Sequence, residues 1–146
     1  MRSRALLAAL FVMMGPAPQT AVADDITAGR DLYRDFCAAC HGVNLEGAPD
    51  WQTPGPDGQL PPPPHDETGH TWHHGDAFLF DYVKRGGQAV LDDLGVRFNS
   101  GMPPFDGVLE DAEIAAILAF IKSTWPPRAR AYQAARTEQE QLERAQ

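Results

Sequence analysis

Two cysteines and a histidine form the most reactive group of residues in this sequence. They lie in Cys37-Ala-Ala-Cys40-His41, and the chain contains no other cysteine. Two thiols one helical turn apart can each add to a vinyl group of a haem, and a histidine directly after the second thiol is then held beneath the ring as an iron ligand. This spacing is the attachment pattern for c-type haem. It predicts one covalently bound haem c, with thioether bonds from Cys37 and Cys40 and with His41 as the proximal iron ligand.

Three other uses of a Cys-x-x-Cys pair fit the sequence less well. A structural disulfide, which exported proteins often carry, does not need the histidine at position 41. A thioredoxin-type redox pair normally follows a strand in an alternating β–α pattern, and no such alternation is visible here. A structural zinc site would need a second cysteine pair, which the sequence lacks.

One methionine is the candidate ligand for the opposite face of the ring. Three of the four methionines lie in the first 14 residues, so Met102 is the one that remains. It lies in Ser100-Gly101-Met102-Pro103-Pro104, which is a loop by composition, 61 residues after His41. A lone methionine can also fill a gap in a core. The proline-bounded loop favours Met102 as the distal iron ligand.

The first 23 residues have the three parts of a secretory signal peptide. Arg2 and Arg4 precede an unbroken apolar run over residues 5–14, and Ala21-Val22-Ala23 is a small-residue cleavage signal. The apolar run is about half the length that a membrane-spanning helix needs. We therefore expect export, cleavage after Ala23, a periplasmic location and no stable membrane insertion after cleavage.

Three helices are predicted in the rest of the chain. The first spans residues 24–39 and leads into the haem motif, and the second has Asp76 as its N-cap and stops at Gly86-Gly87. The third, from Glu110 to Trp125, has acidic residues in its first turn and an apolar stripe of helical period. The stripe consists of Ile114, Ile117, Leu118 and Ile121.

These features together resemble the class I, single-haem cytochromes c. The resemblance rests on Cys37-x-x-Cys40-His41-Gly42, the Gly/Pro-rich loop after it, Gly101-Met102-Pro103 and a final amphipathic helix. It implies an all-α cytochrome c fold, in which helices and long loops wrap around one covalent haem with histidine and methionine as axial ligands. It also implies electron transfer. We accordingly divide the chain into a signal peptide (1–23), a cytochrome c domain (24–125) and a polar C-terminal tail (126–146).

The resemblance further implies two contacts within the fold. In this family the first and last helices cross closely at a glycine and an aromatic residue, for which Gly29 and Phe120 are the candidates, although Gly29 would also suit a simple helix start. A proline carbonyl accepts a hydrogen bond from the second nitrogen of the proximal histidine and fixes its tautomer. Among the seven prolines from Pro49 to Pro64, we expect Pro49 to provide this carbonyl, with Trp51 packed on the ring.

Four of the five histidines lie between His65 and His74, interleaved with carboxylates. One interpretation is a second metal site for copper or zinc. Another places these residues along the haem edge, with Trp72 and one histidine donating hydrogen bonds to a haem propionate. A third makes one of them a rival axial ligand. The adjacent His73 and His74 cannot easily face one ion from a helix, which disfavours the second metal site.

Charge and chemistry together narrow the function. The chain has 12 basic and 20 acidic residues and a net charge of −8, which argues against nucleic acid and anionic lipid as partners. No catalytic nucleophile remains once both thiols carry haem, so we expect an electron carrier and not an enzyme. Its partners would be redox proteins that bind transiently through a basic patch. The alternatives are a copper-binding or sensing accessory protein that uses His65–His74, and an electron-input subunit of a periplasmic dehydrogenase or oxidase complex.

The C-terminal tail, residues 126–146, follows Pro126-Pro127 and has Tyr132 and Leu142 as its sizeable apolar side chains. Its composition favours a helix but shows no apolar stripe that could be buried. We expect a solvated or frayed helix that the haem domain does not need, with a docking arm for a partner as the alternative.

The haem motif and the leader predict a single product after export. Expression in a host with haem-attachment machinery should yield a periplasmic chain that begins near Asp24 and has the mass of one added haem. Intact-protein mass spectrometry measures both features. An unmodified chain mass in that host would contradict the haem assignment.

Overall fold

The computed structural model describes residues 19–146, with side chains from residue 25 onward. The greater part of the predicted signal peptide lies outside the described residues. All regular structure in the described part of the chain is helical. The elements are α1 (Gln19–Phe36), α2 (Ala38–His41), a 3-10 turn (Thr71–His73), α3 (Asp76–Arg85), α4 (Gly87–Asp93), α5 (Asp111–Thr124) and α6 (Pro127–Arg144). The predicted all-α fold is confirmed.

Helices α1 and α5 cross at Gly29. A Cβ atom built on Gly29 would lie 2.0 Å from the carbonyl oxygen of Ala116 and 3.1 Å from Cβ of Phe120. Only a residue without a side chain permits this approach of two backbones. The predicted crossing of Gly29 and Phe120 is therefore confirmed, with α5 as the second helix.

The core lies between these two helices. Helix α5 begins with the capping box formed by Glu110 and Glu113, in which the backbone N–H of Glu110 donates to the Glu113 carboxylate at 2.8 Å. The predicted stripe on α5 is buried throughout. Tyr33 of α1 and Trp125, directly after α5, are 1% and 2% exposed and belong to this core.

The α3 region differs from the prediction in two respects. Gly75, and not Asp76, is the N-cap of α3, and it makes no side-chain capping bond. The first amides of α3 are instead bound by side chains of α6. The helix ends at Gly86 with φ of +81°, as the glycine pair predicts. A further helix, α4, starts directly at Gly87 and was missed because the Gly-Gly pair indicated only a stop.

The C-terminal tail also differs from the prediction. It forms α6, which begins with Pro127 in its first turn and packs on the 3-10 turn and on α3. Ala129 and Gln133 are each 4% exposed. The expectation that the tail has no face to bury is wrong, because its buried face is built from a small residue and hydrogen-bonding side chains and not from an apolar stripe.

The close crossing of α1 and α5 makes Gly29 sensitive to a single methyl group. Replacing an exposed helical glycine with alanine normally raises stability by about 1 kcal/mol. Here Gly29→Ala should lower stability by about 2 kcal/mol, because the methyl group overlaps the Ala116 backbone. Thermal unfolding of the haem-loaded protein measures this change, with exposed Ala28→Ser as the control. A melting temperature above that of the wild type would contradict the crossing.

Candidate haem-binding site

Cys37, Cys40 and His41 lie together on one short helical turn. The turn consists of α2 and its N-cap residue Cys37, and it is continuous with α1 through the hydrogen bond from the Cys37 backbone N–H to the Tyr33 carbonyl at 2.8 Å. Cys37 is buried and Cys40 is exposed, and both thiols are free. Burial, with Cys40 nearby, raises the pKa of the Cys37 thiol to about 11. Both sulfur atoms are therefore held one turn apart on the same segment that presents His41.

The imidazole of His41 is oriented by a backbone carbonyl. Its Nδ1 lies 2.9 Å from the carbonyl oxygen of Pro63. Because a carbonyl can only accept, Nδ1 carries the proton and Nε2 keeps its lone pair free for a metal. Pro63 therefore provides the carbonyl, and the assignment of this role to Pro49 is wrong.

The loop after α2 folds back to bring Pro63 beneath His41. The Gly47 N–H donates to the His41 carbonyl at 2.8 Å, and the Ala48 N–H donates to the Pro62 carbonyl at 2.9 Å. Gly47 has φ of +67°, and a Cβ there would lie 2.4 Å from the Pro64 nitrogen. Pro49 lies before the chain reverses and is exposed. The prolines after the reversal therefore lie next to His41.

His65 packs directly on His41. The two rings are stacked, with centroids 4.0 Å apart and an interplanar angle of 24°. His65 is fixed from three sides: Nδ1 lies 2.9 Å from Oγ1 of Thr71, the ring meets Tyr33 edge-on, and its carbonyl accepts from Nε1 of Trp125 at 2.7 Å. Burial lowers the pKa of both imidazoles, and the hydrogen bond to Pro63 opposes this effect at His41. Both rings therefore favour the neutral form, which is the form that can ligate a metal.

The donor set fits a c-type haem. It combines two free thiols at the Cys-x-x-Cys spacing of c-type haem attachment with a neutral imidazole whose tautomer leaves Nε2 available. Cys37, Cys40 and His41 would hold the group, the first two through thioether bonds and the third through the iron.

Met102 lies in a separate loop that is fastened to α3 and α4. Its carbonyl accepts from the Gly87 N–H at 3.1 Å, and its own N–H donates to Oγ of Ser100 at 3.3 Å. Oγ of Ser100 in turn lies 2.9 Å from the hydroxyl of Tyr82 on α3. Three residues after Met102, the Phe105 N–H donates to the carbonyl of Lys84 at 3.1 Å. Helix α3 therefore determines where this loop lies.

Two further contacts connect the Met102 loop to the rest of the haem region. The ring of Phe105 meets Phe36 edge-on at 6.5 Å, and Phe36 immediately precedes Cys37. On the other side, Nδ2 of Asn99 donates to the Asp57 carbonyl in the proline-rich loop at 3.0 Å. The structure thus brings the Met102 loop next to the segment that carries the cysteines.

The remaining histidines are divided among aromatic stacks. Trp51 stacks on His70 and not on His41, with centroids 5.5 Å apart, while His73 packs on Trp72 and His74 on Phe78. Among the side chains that the structure describes, residues 25–146, no three His, Cys, Asp or Glu side chains converge on one point. The geometry therefore does not support the copper or zinc interpretation of His65–His74. Nε1 of Trp72 donates to the Glu67 carbonyl at 3.3 Å, which uses the donor that the propionate interpretation required.

The comparisons with known proteins agree with this arrangement. Residues 26–125 match the cytochrome c family, and this chain belongs to that family. Its members bind covalent haem c and carry electrons, and the Cys37, Cys40 and His41 spacing is the one that this attachment requires.

Individual relatives are longer than this chain. The chain is similar to the cytochrome bc1 complex cytochrome c subunits of Mycobacterium bovis and Mycobacterium tuberculosis, at 28% identity over 119 residues, which is 78% of this chain and 35% of either relative. The Mycobacterium leprae subunit is 43% identical over 46 residues, which is 28% of this chain and 16% of that relative. The chain thus spans about a third of the length of the first two relatives. No solved structure matches it significantly.

The His74 environment predicts a pH-dependent stability. Burial, followed by the nearby His70, His73 and Arg136, lowers the pKa of His74 from 6.5 to about 4. Between these values the unfolded chain binds a proton that the folded chain does not, so stability falls as the pH falls from 6.5 to 4. His74→Phe should keep the stack on Phe78 and reduce this slope. Urea denaturation of the haem-loaded protein across this range measures it, and equal slopes for the two proteins would contradict the assignment.

Proposed function

We propose that this protein is an exported, single-haem electron carrier in which His41 and Met102 are the axial iron ligands. The observation that carries the proposal is the hydrogen bond from Nδ1 of His41 to the Pro63 carbonyl, which leaves Nε2 free to ligate a metal, next in sequence to two free thiols. The haem iron supplies a one-electron couple between the ferric and ferrous states.

Two features of this chain would raise the midpoint potential of that couple. A thioether from Met102 favours the ferrous state, and so does a pocket that disfavours the additional positive charge of ferric iron. The neutral, buried ring of His65 on the far side of His41 contributes to such a pocket. We therefore propose a potential above that of a bis-histidine haem. With both axial positions filled, no position remains for a substrate, which supports a carrier and not an enzyme.

We further propose a periplasmic location and transient redox partners. Removal of residues 1–23 would change the net charge from −8 to −10, because that segment holds two arginines and no acidic residue. Such a surface attracts partners with a basic docking patch and accelerates encounter. Among the described helices, none is long and apolar enough to cross a membrane.

A second candidate is a carrier that works within a respiratory complex. The similarity to mycobacterial subunits named for the cytochrome bc1 complex favours it. In that case the partner would supply electrons through a lasting contact and not a brief one. Purification under mild detergent conditions distinguishes the two: a lasting subunit elutes with the complex, and a transient carrier elutes alone.

The proposed ligation predicts the effect of removing one sulfur atom. A thioether bound to ferric haem iron gives a weak charge-transfer band in the far red, which bis-histidine haem lacks. Met102→Ala should abolish this band and lower the midpoint potential, because the ligand that favours ferrous iron is lost. Visible spectroscopy and a potentiometric titration of the holoprotein measure the two changes.

Replacement of a histidine in the cluster provides the control for this prediction. His70→Gln removes an imidazole that packs on Trp51 and should leave the band in place. Absence of the band in the wild type, or its persistence in Met102→Ala, would show that another residue provides the distal ligand.

A further inference from the structure

Helix α6 supplies the N-terminal cap that α3 lacks. The carboxylate of Glu140 accepts hydrogen bonds from the backbone N–H groups of Ala77 at 2.9 Å and Phe78 at 2.8 Å. Oγ1 of Thr137 accepts from the Asp76 N–H at 3.1 Å. Three of the four unpaired amides at the start of a helix are therefore bound by a segment about 60 residues further along the chain.

The same junction ties α3 to α5. The Asp76 carboxylate accepts from Nζ of Lys122 at 2.8 Å and from Nε2 of Gln133 at 2.7 Å. Gly75 is buried under α6, and a Cβ there would lie 2.4 Å from the Glu140 carboxylate. The start of α3 is thus held against α5 and α6 with no space between the backbone of Gly75 and Glu140.

The other end of α3 holds the Met102 loop. Tyr82 of α3 is hydrogen-bonded to Ser100, and the Lys84 carbonyl of α3 accepts from the Phe105 N–H. Gly87, the first residue of α4, donates to the Met102 carbonyl directly after α3 ends. A helix of ten residues is about 15 Å long and moves as one unit. A displacement at its capped end is therefore transmitted to the loop at its other end, whereas the imidazole of His41 is hydrogen-bonded to the proline-rich loop through Pro63.

We propose that α6 is a positioning element for the distal ligand and that Glu140 is its principal positioning residue. Through α3, Glu140 and Thr137 keep Met102 at the place where it can ligate the iron opposite His41. This inference rests on the proposed ligation by Met102. If it is correct, α6 affects how readily Met102 leaves the iron.

The test measures how easily an added ligand replaces Met102 in the ferric holoprotein. Imidazole can bind the iron only after the distal ligand has left, so its affinity reports the stability of that ligation. In Glu140→Ala the imidazole affinity should rise about fivefold, which is about 1 kcal/mol at 1.4 kcal/mol per tenfold change, the typical contribution of a helix cap. The intensity of the far-red band should fall in parallel.

Glu138→Ala is the matched control. Glu138 is exposed and lies about 200° around α6 from Glu140, so its removal changes charge and length in the same way without touching α3. Its imidazole affinity should equal that of the wild type. If Glu140→Ala lowers the melting temperature but binds imidazole as the wild type does, α6 is only structural and the proposal is overturned.

Two further variants keep the test decisive. If Glu140→Ala does not retain haem, Thr137→Val serves instead, because it removes a single bond to α3. It should raise imidazole affinity by less than the fivefold expected for Glu140→Ala, and Thr137→Ser should restore the wild-type value. An unchanged imidazole affinity in Thr137→Val then overturns the proposal. If Met102→Ala binds imidazole as the wild type does, the proposed ligation itself has failed, which is a different result from an unchanged Glu140→Ala.

Discussion

The hydrogen bond from His41 to the Pro63 carbonyl is the constraint on which the rest of the site depends. It sets the tautomer of the imidazole and the plane of its ring, and it requires the chain to return beneath α2 within 22 residues. The run of prolines suits this return because each proline has few accessible conformations and donates no backbone hydrogen bond. The same return of the chain places His65, two residues after Pro63, against His41. There the His65 carbonyl accepts a hydrogen bond from Trp125.

The two proposed axial ligands are supported by different parts of the fold. His41 is fixed by α1, by its crossing with α5 at Gly29, and by the loop that carries Pro63. Met102 is fixed by α3, whose own position depends on α5 and α6. The direct hydrogen bonds differ, because the imidazole of His41 is bonded to the proline-rich loop and the Met102 backbone is bonded to Gly87 and Ser100.

Local patterns predicted those features that depend on neighbours in sequence. The Cys37–His41 motif, the apolar stripe of α5 and the stop of α3 at Gly86 are of this kind. Features that depend on contacts between distant segments could not be predicted from local sequence patterns. Pro63 is one of four consecutive prolines, and nothing local distinguishes it from its neighbours or from Pro49. The buried face of α6 was missed because it consists of hydrogen-bonding side chains, whose partners on α3 lie about 60 residues away.

Methionine-methyl NMR tests most directly whether His41 and Met102 ligate one iron from opposite sides. If residues 1–23 are removed as proposed, Met102 is the sole methionine left in the chain, so protein labelled with 13C at the methionine methyl group should give one signal. Ligation by Met102 predicts that in the ferrous holoprotein this signal is shifted far upfield, because the methyl group would then lie over the face of the haem ring. A single signal at the position of an ordinary, unligated methionine would contradict it.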